Sequence, residues 1–288
     1  MSSNPVAAAG SFLRFIRFSH TVFALPFALG SMFVAAEGMP SARVFLGVLA
    51  CMVFARTAAM TFNRIADWEI DKRNPRTVGR HRLIDRPTAI LACAASSVLF
   101  LAAAAFLNPV CLALAPVALG IVFFYSLTKR FTHAAQFFLG LALAVAPVGG
   151  WLAVRGTFDV PPIVLALGVL FWVAGFDMIY ATQDAEVDRR EGLYSMVVWL
   201  GVPTALRWAG GLHVLAFLLL LWFGISARLG PPYHAAMVLV AGALVFEHWS
   251  ARKPDVQAVN RAFFWSNAFV GVVFVLGTGL DGLIRFSP

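Results

Sequence analysis

The sequence predicts an all-α integral membrane protein of nine transmembrane helices, and three observations carry that prediction. The chain is 60% hydrophobic and 12% charged, with a mean hydropathy of +0.82, far from the composition of soluble domains. Apolar runs of about 20 residues, the length that crosses a bilayer as a helix, recur from end to end. The loops between those runs alternate between rich and poor in Lys and Arg, as they do in polytopic membrane proteins.

In order, the runs lie at 12–36, 43–66, 87–107, 109–128, 133–153, 161–183, 204–226, 232–250 and 261–284. The first begins near Phe12 and is too long for the apolar part of a signal peptide; it also lacks a small-residue cleavage site. The fourth and sixth runs are least sharply bounded at their starts, where Pro109, Pro116, Pro161 and Pro162 sit. Cys51, Cys93 and Cys111 fall inside spans with no metal-ligand spacing between them, and read as small apolar packing residues. No soluble domain or low-complexity segment interrupts the pattern, so residues 1–288 form one domain.

With the N-terminus in the cytoplasm, 17 of the 22 Lys and Arg fall on the inner side. Arg43, Arg155, Arg228 and Arg285 fall outside, and Arg56 lies within the second span. This bias sets the orientation. The formal charge of +8 is accounted for by a basic face on anionic lipid, without nucleic acid as a partner. Outer loops are short, whereas the inner segments 67–86 and 184–203 are long; long loops are where function concentrates.

Those two inner segments hold an unusual concentration of acid. The chain has 14 Asp and Glu, and five aspartates stand in two clusters: Asp67 and Asp71 after Asn63, and Asp177, Asp184 and Asp188 around Tyr180. Ionisable residues beside hydrocarbon mark function by default. Residues four and seven apart share a helix face. Arg56, Asn63, Asp67 and Asp71 therefore form one stripe, and Asp177, Tyr180 (or Ala181), Asp184 and Asp188 another. The shared four-residue steps suggest an internal pseudo-repeat. Two facing acidic stripes repel strongly in a low dielectric, and a hard divalent cation resolves the conflict. Mg²⁺ takes oxygen ligands, commonly one or two carboxylates plus substrate phosphates, and Asn63 adds a neutral oxygen to the row.

Cations follow both places: Arg76 and Arg80 after the first cluster, Lys129 and Arg130 after the fourth span. They suit a diphosphate, whose roughly two to three negative charges are commonly clamped by Arg and Lys; positive-inside anchoring is the alternative for Lys129 and Arg130, as good a reading for Lys129 and the lesser one for Arg130. The pattern reads as carboxylate, Mg²⁺ and diphosphate. A diphosphate that belongs beside a bilayer is a polyprenyl diphosphate, whose tail partitions into hydrocarbon. The 27 Phe suit an aromatic interior that stabilises a developing carbocation, but Phe is also routine membrane packing, so none is singled out.

The chain resembles the UbiA superfamily of intramembrane prenyltransferases, and within it the 4-hydroxybenzoate polyprenyltransferases. Asn63-x3-Asp67-x3-Asp71 is similar to the first family motif, and Asp184-x3-Asp188 to the second, with Asp177 and Tyr180 ahead of it. Tyr125-x3-Lys129-Arg130-Phe131-Thr132-His133 followed by Gln136 resembles a third signature. Arg17-Phe18-Ser19-His20-Thr21 through Leu25-Pro26-Phe27 resembles the family's opening helix.

The resemblance implies a helical bundle around a central, lipid-open cavity. It implies that Asn63, Asp67, Asp71, Asp184 and Asp188 hold two Mg²⁺ on the diphosphate, with Asp177 close by. Arg76, Arg80, Lys129 and Arg130 would bind or stabilise the leaving diphosphate, with Tyr125 and Tyr180 in the substrate site. The allylic cation would be attacked by a ring carbon ortho to a phenol hydroxyl. Arg56, two turns deeper than Asn63, would pair with the carboxylate of an aromatic acid. The implied setting is the cytoplasmic (inner) membrane, in ubiquinone or menaquinone biosynthesis, with the active site facing the cytoplasm.

Three departures stand out. Arg64 follows Asn63 where the family often has Asp, as in a subgroup similar to menaquinone-pathway (futalosine-type) enzymes. His81-Arg82-Leu83-Ile84-Asp85 replaces the usual proline-rich continuation, and Met196-Val197-Val198-Trp199 replaces a proline and a basic residue. The acceptor stays open between 4-hydroxybenzoate, a dihydroxynaphthoate and, more distantly, haem or chlorophyllide. A transporter would place its charges nearer the bilayer midplane. A lipid-head-group phosphotransferase would need Gly and Arg between its carboxylates.

Overall fold

The protein's structure, a computed structural model, describes residues 5–16, 18–73, 77, 79, 83–251 and 256–286. Among them every regular element is helical. Helix α1 (Pro5–Phe15) and a short 3-10 helix (Phe18–Phe23) lead into α2 (Leu25–Ala36). Then come α3 (Ala42–Ala66), α4 (Trp68–Arg73), α5 (Arg86–Leu107), α6 (Pro109–Thr128) and α7 (Ala135–Arg155). The chain continues through α8 (Val160–Ala181), α9 (Ala185–Arg190), α10 (Met196–Leu200), α11 (Val202–Ser226), α12 (Pro231–Ala251) and α13 (Val256–Phe286).

Eight of these helices are long and apolar enough to cross a membrane: α3, α5, α6, α7, α8, α11, α12 and the Phe263–Arg285 portion of α13. They coincide with the last eight runs of the sequence. The first run, 12–36, is broken, and its apolar part, Thr21–Ala36, falls short of a full span. The break has a local cause. Pro26 has no backbone N–H and sits in the first turn of α2, where it is tolerated but cannot continue an incoming helix.

Helix ends are fixed by side chains that satisfy otherwise orphaned N–H groups. Asp85 Oδ1 accepts from Thr88 N at 2.8 Å, and hydrogen bonding from Thr88 holds its carboxyl below the usual aspartate pKa. Asn108 alone connects α5 to α6: its Oδ1 accepts from Cys111 N at 2.9 Å, while its Nδ2 donates to Leu152 O of α7 at 2.8 Å. Pro109 opens α6, and Pro116 lies inside α6 without ending it.

The long helices pack in chain order, α3 on α5, then α6, α7, α8, α11, α12 and α13. Helix α13 returns to α2, and α2 leans on α7, which closes the ring. One half is solid. Phe27, Trp172, Phe223, Tyr233 and Phe274 interlock among α2, α8, α11, α12 and α13. A buried polar pair lies in this half, with Asn267 Nδ2 donating to Glu247 Oε1 at 2.7 Å. The other half, bounded by α2, α3, α5, α6, α7 and α8, encloses a cavity of about 640 Å³.

Helix α7 joins the halves by backbone-close packing, the usual means of helix association in lipid. A Cβ at Gly150 would overlap the Ala28 carbonyl of α2, and one at Gly140 would overlap the Leu170 carbonyl of α8. The adjacent Gly149 has open space around its missing Cβ. Gly150→Ala is therefore expected to destabilise the protein by about 1–3 kcal/mol, the usual cost of overpacking. Gly149→Ala should be neutral or mildly stabilising. Thermal unfolding of both variants in detergent checks the contrast; equal behaviour would remove the close α2–α7 contact as a structural determinant.

Candidate active site

Both acidic stripes emerge at the same end of the bundle and line one cavity. The first runs down α3 and across a junction. Asn63 and Arg56 lie on α3, Asp67 caps its C-terminus, and Asp71 belongs to α4. The i→i+4 ladder persists through the cap, with Asp67 N donating to Asn63 O (2.9 Å) and Asp71 N to Asp67 O (2.7 Å). The stripe expected for one helix therefore survives the boundary between two.

The second stripe crosses a tighter joint. After α8, the N–H groups of Thr182, Gln183 and Asp184 donate to the carbonyls three residues back, a 3-10 turn. The α-type spacing then resumes, with Asp188 N donating to Asp184 O at 2.7 Å. Asp177 and Tyr180 remain on α8. Tyr180 packs its ring on Phe263 of α13, centroids 4.8 Å apart.

Arg56, Asn63, Asp67, Asp71, Tyr125, Lys129, Arg130, Asp177, Tyr180, Asp184 and Asp188 all line the same cavity. Eleven sequence-predicted residues are thus brought together. Arg76 and Arg80, the remaining two, lie outside the described residues. Thr77, between them, also lines the cavity and donates from Oγ1 to the Asp71 carbonyl at 3.0 Å.

The acids are paired with bases across segments. Arg130 Nη2 reaches Asp67 Oδ1 at 3.1 Å and the Ala66 carbonyl at 2.6 Å. Lys129 Nζ lies 3.5 Å from Asp188 Oδ2, and Arg64 Nη1 lies 3.5 Å from Asp71 Oδ2. Asn63 Nδ2 donates to Asp67 Oδ2 at 3.4 Å. Further out, Arg73 Nη2 reaches Glu191 at 2.8 Å, tying the first acidic segment to the second.

Burial is the largest influence on Asp67 and raises its pKa; the Arg130 hydrogen bond and charge pull it part of the way back, and Asp71 raises it again. For Lys129, burial opposes the charge, but Asp188, Asp177, Tyr125 and Asp184 outweigh it and hold the ammonium above the ordinary lysine value. Lys129 is therefore held in its cationic form among these acids.

Among the described residues, no three His, Cys, Asp or Glu side chains cluster as a ready-made metal cage. Mg²⁺ does not require such a cage, because it binds through one or two carboxylates and completes its shell with water and substrate phosphate oxygens. Asp184 and Asp188 are nearly buried, and together with Asp67 and the Asn63 amide they present only hard oxygen donors.

Sequence reasoning missed three participants. Arg64 is buried, at 5% exposure, and joins Asp71 to the Phe15 carbonyl of α1 at 3.4 Å; its signal was the departure from the family motif. Thr77 and Phe263 carried none, since a threonine in a basic loop and one Phe among 27 are not distinguishable by type. Below the charged rim the lining turns apolar and small, with Ala55, Ala59, Ala118, Ala144 and Gly149. It reaches the outer surface at Val117, Leu141 and Phe158, which are exposed.

A model of the UbiA prenyltransferase family matches residues 24–268. The 4-hydroxybenzoate octaprenyltransferase of Vibrio vulnificus (strain CMCP6) is 31% identical over 285 residues, 96% of this chain and 98% of that one. The protein of the same name from Vibrio atlanticus (strain LGP32) is 30% identical over 258 residues, 86% of this chain and 88% of that one. Among solved structures, an apo UbiA homologue from Aeropyrum pernix K1 superposes with a TM-score of 0.83 at 29% identity, covering 91% of this chain and 98% of that one. A UbiA homologue from Archaeoglobus fulgidus bound to GPP and Mg²⁺ has the same fold, with a TM-score of 0.73 at 20% identity over 94% of this chain and 99% of that one. With the motifs, the bundle and the family model in agreement, the chain is an integral membrane protein that belongs to the UbiA prenyltransferase family.

Proposed function

We propose that this protein transfers a polyprenyl group from a polyprenyl diphosphate to an aromatic acid, with Mg²⁺ as the cofactor. One observation carries the reading: a single cavity joins a rim of paired acids and bases to an apolar interior that reaches the outer surface. A diphosphate with a hydrocarbon tail matches both ends of that cavity. The acceptor favoured is 4-hydroxybenzoate, after the activity named for the Vibrio relatives. A dihydroxynaphthoate is the second reading, favoured by Arg64 at the position after Asn63.

In this reading Asn63, Asp67, Asp71, Asp184 and Asp188 hold Mg²⁺, which when bound neutralises charge on the diphosphate oxygens. Lys129 and Arg130 face the same oxygens as fixed cations, joined by Arg76 and Arg80. The allylic C–O bond breaks with its electron pair leaving on the diphosphate. The ring carbon ortho to the phenol then forms the new C–C bond and releases its proton. Asp177, Tyr125 and Tyr180 line the same cavity as Arg56, and in this reading they border the acceptor. Tyr125 lies in electrostatic range of Asp177, Lys129, Asp67 and Arg56. Arg56 holds the acceptor's carboxylate by a charge-assisted pair. The charge bias of the loops supports placing this site on the cytoplasmic side of the inner membrane.

Three experiments test the reading. Membranes containing the protein, a defined polyprenyl diphosphate, Mg²⁺ and each candidate acid should yield a prenylated acid detectable by mass, and removing Mg²⁺ should abolish it. Absence of product with every acid would overturn the assignment. Arg56→Ala should raise the acceptor's KM by about 10- to 100-fold, as expected for a lost charge-assisted pair of about 1.5–3 kcal/mol. The KM for the prenyl diphosphate should stay nearly unchanged; equal effects on both would reject the carboxylate role. Arg130→Gln removes the charge that restrains the raised Asp67 pKa, so Asp67 should stay protonated to higher pH. The acid limb of the pH–rate profile should then move upward, whatever the loss in overall rate. A limb that stays put or moves down would show that Asp67 does not set it.

A further inference from the structure

The loop after α8 departs from the family pattern at Met196-Val197-Val198-Trp199, yet the structure ties it closely to the segment carrying Lys129. Tyr194 N donates to the Lys129 carbonyl at 2.7 Å, and Leu193 N to the Asp188 carbonyl at 2.8 Å. Met196 N donates to Gln136 Oε1 at 3.2 Å. Between these bonds stands His133. Its ring meets Tyr194 edge-on, centroids 4.9 Å apart at 78°, and stacks on Trp199 at 5.7 Å and 26°. Both geometries are favourable for aromatic pairs. His133 Nδ1 lies 3.2 Å from the Ser195 carbonyl, an oxygen that only accepts, so Nδ1 carries the proton.

Ser195 is itself fully buried, and its Oγ accepts from Val198 N at 3.1 Å to start α10. The ring of His133 therefore holds both ends of a short corner. Tyr194 leads back through Leu193 to Asp188, and Trp199 lies on α10 just ahead of α11. Residues 129 and 188, whose side chains pair at 3.5 Å, are the two points that this corner keeps in register. Both Tyr194 and Trp199 are exposed, so the rings that flank His133 lie at the surface, while Met196 and Val197 between them pack inward against α8, α9 and α11.

We propose that His133, clasped between Tyr194 and Trp199, is a positioning residue that sets the spacing between Lys129 and the Asp184–Asp188 segment. It does not touch the reacting atoms. The clasp fixes the outward side of a loop whose family-typical proline and basic residue are missing here, and Met196 and Val197 fix its inward side. This inference rests on the prenyl-transfer reading only for its kinetic readout.

The test uses the full-length protein in detergent or liposomes. His133→Ala should raise the KM for the prenyl diphosphate about tenfold and leave the acceptor's KM within about twofold. His133→Phe, which keeps the ring but not the Nδ1 donor, should recover part of that loss; Trp199→Ala should move the same KM in the same direction. Independently of turnover, Mg²⁺ with inorganic diphosphate should slow amide exchange across residues 189–200 in the parent protein and much less in His133→Ala. Equal shifts in both KM values, no shift in either, or identical exchange in the two proteins would overturn the proposal. Should the parent protein fail to transfer any prenyl group, the prenyl-transfer reading falls, while the exchange measurement still decides the role of His133.

Discussion

A carboxylate at the edge of hydrocarbon has little water to solvate it, so it must find a cation within the protein or in a ligand. This constraint organises the charged end of the molecule. Asp67 is met by Arg130, Asp71 by Arg64, and Asp188 by Lys129, and each pair joins different segments of the chain. The ion pairs therefore do two things at once. They make it tolerable to gather acids at one rim, and they lace together the segments after α3, α6 and α8. A magnesium diphosphate presents both signs of charge, metal to the carboxylates and phosphate oxygens to Arg and Lys, so it can enter such a lattice without leaving either sign unmatched.

The hollow half of the bundle depends on the solid half. Bulky aromatic residues lock α8, α11, α12 and α13 together with α2. Helix α7 is then pinned to α2 and α8 at Gly150 and Gly140, where backbones touch. With α7 held on that side, small residues on α3, α6 and α7 leave space that side chains do not fill. The interior is a consequence of where volume is withheld, and the rim is a consequence of where charge is admitted.

Much of this was legible before any coordinates. Long apolar runs announce membrane helices because the bilayer fixes their length, and eight of nine runs coincide with single helices. The first run is divided rather than one continuous helix, which hydropathy does not register because it is blind to backbone: Pro26 and the polar stretch before it interrupt an apolar segment that averages look through. The stripe periodicity picked out Asp67, Asp71, Asp184 and Asp188 as neighbours, and they line one cavity even though both stripes bend at helix ends, since the backbone ladder carries the spacing across. The pairing of Arg64 with Asp71 was not legible. A basic residue beside an acidic motif has many possible partners, and only the α3–α4 junction selects one. The His133 clasp was equally hidden, because residues 133, 194 and 199 come together only after two loops fold against each other.

The buried pair of Glu247 and Asn267 bears on how the protein comes to be assembled. Glu247 sits on α12, the least apolar of the eight spanning helices, and is 2% exposed, whereas its hydrogen-bonding amide arrives one helix later, on α13. During synthesis α12 leaves the ribosome before α13, when its acid can be approached by His213 of α11, 4.0 Å from Glu247 Oε2, but not yet by the Asn267 amide. The hydrogen bond from Asn267 therefore favours packing of α13 against α12 in lipid. A cut between α12 and α13 would deprive the Glu247 carboxyl of its Asn267 partner as well as removing a wall of the bundle.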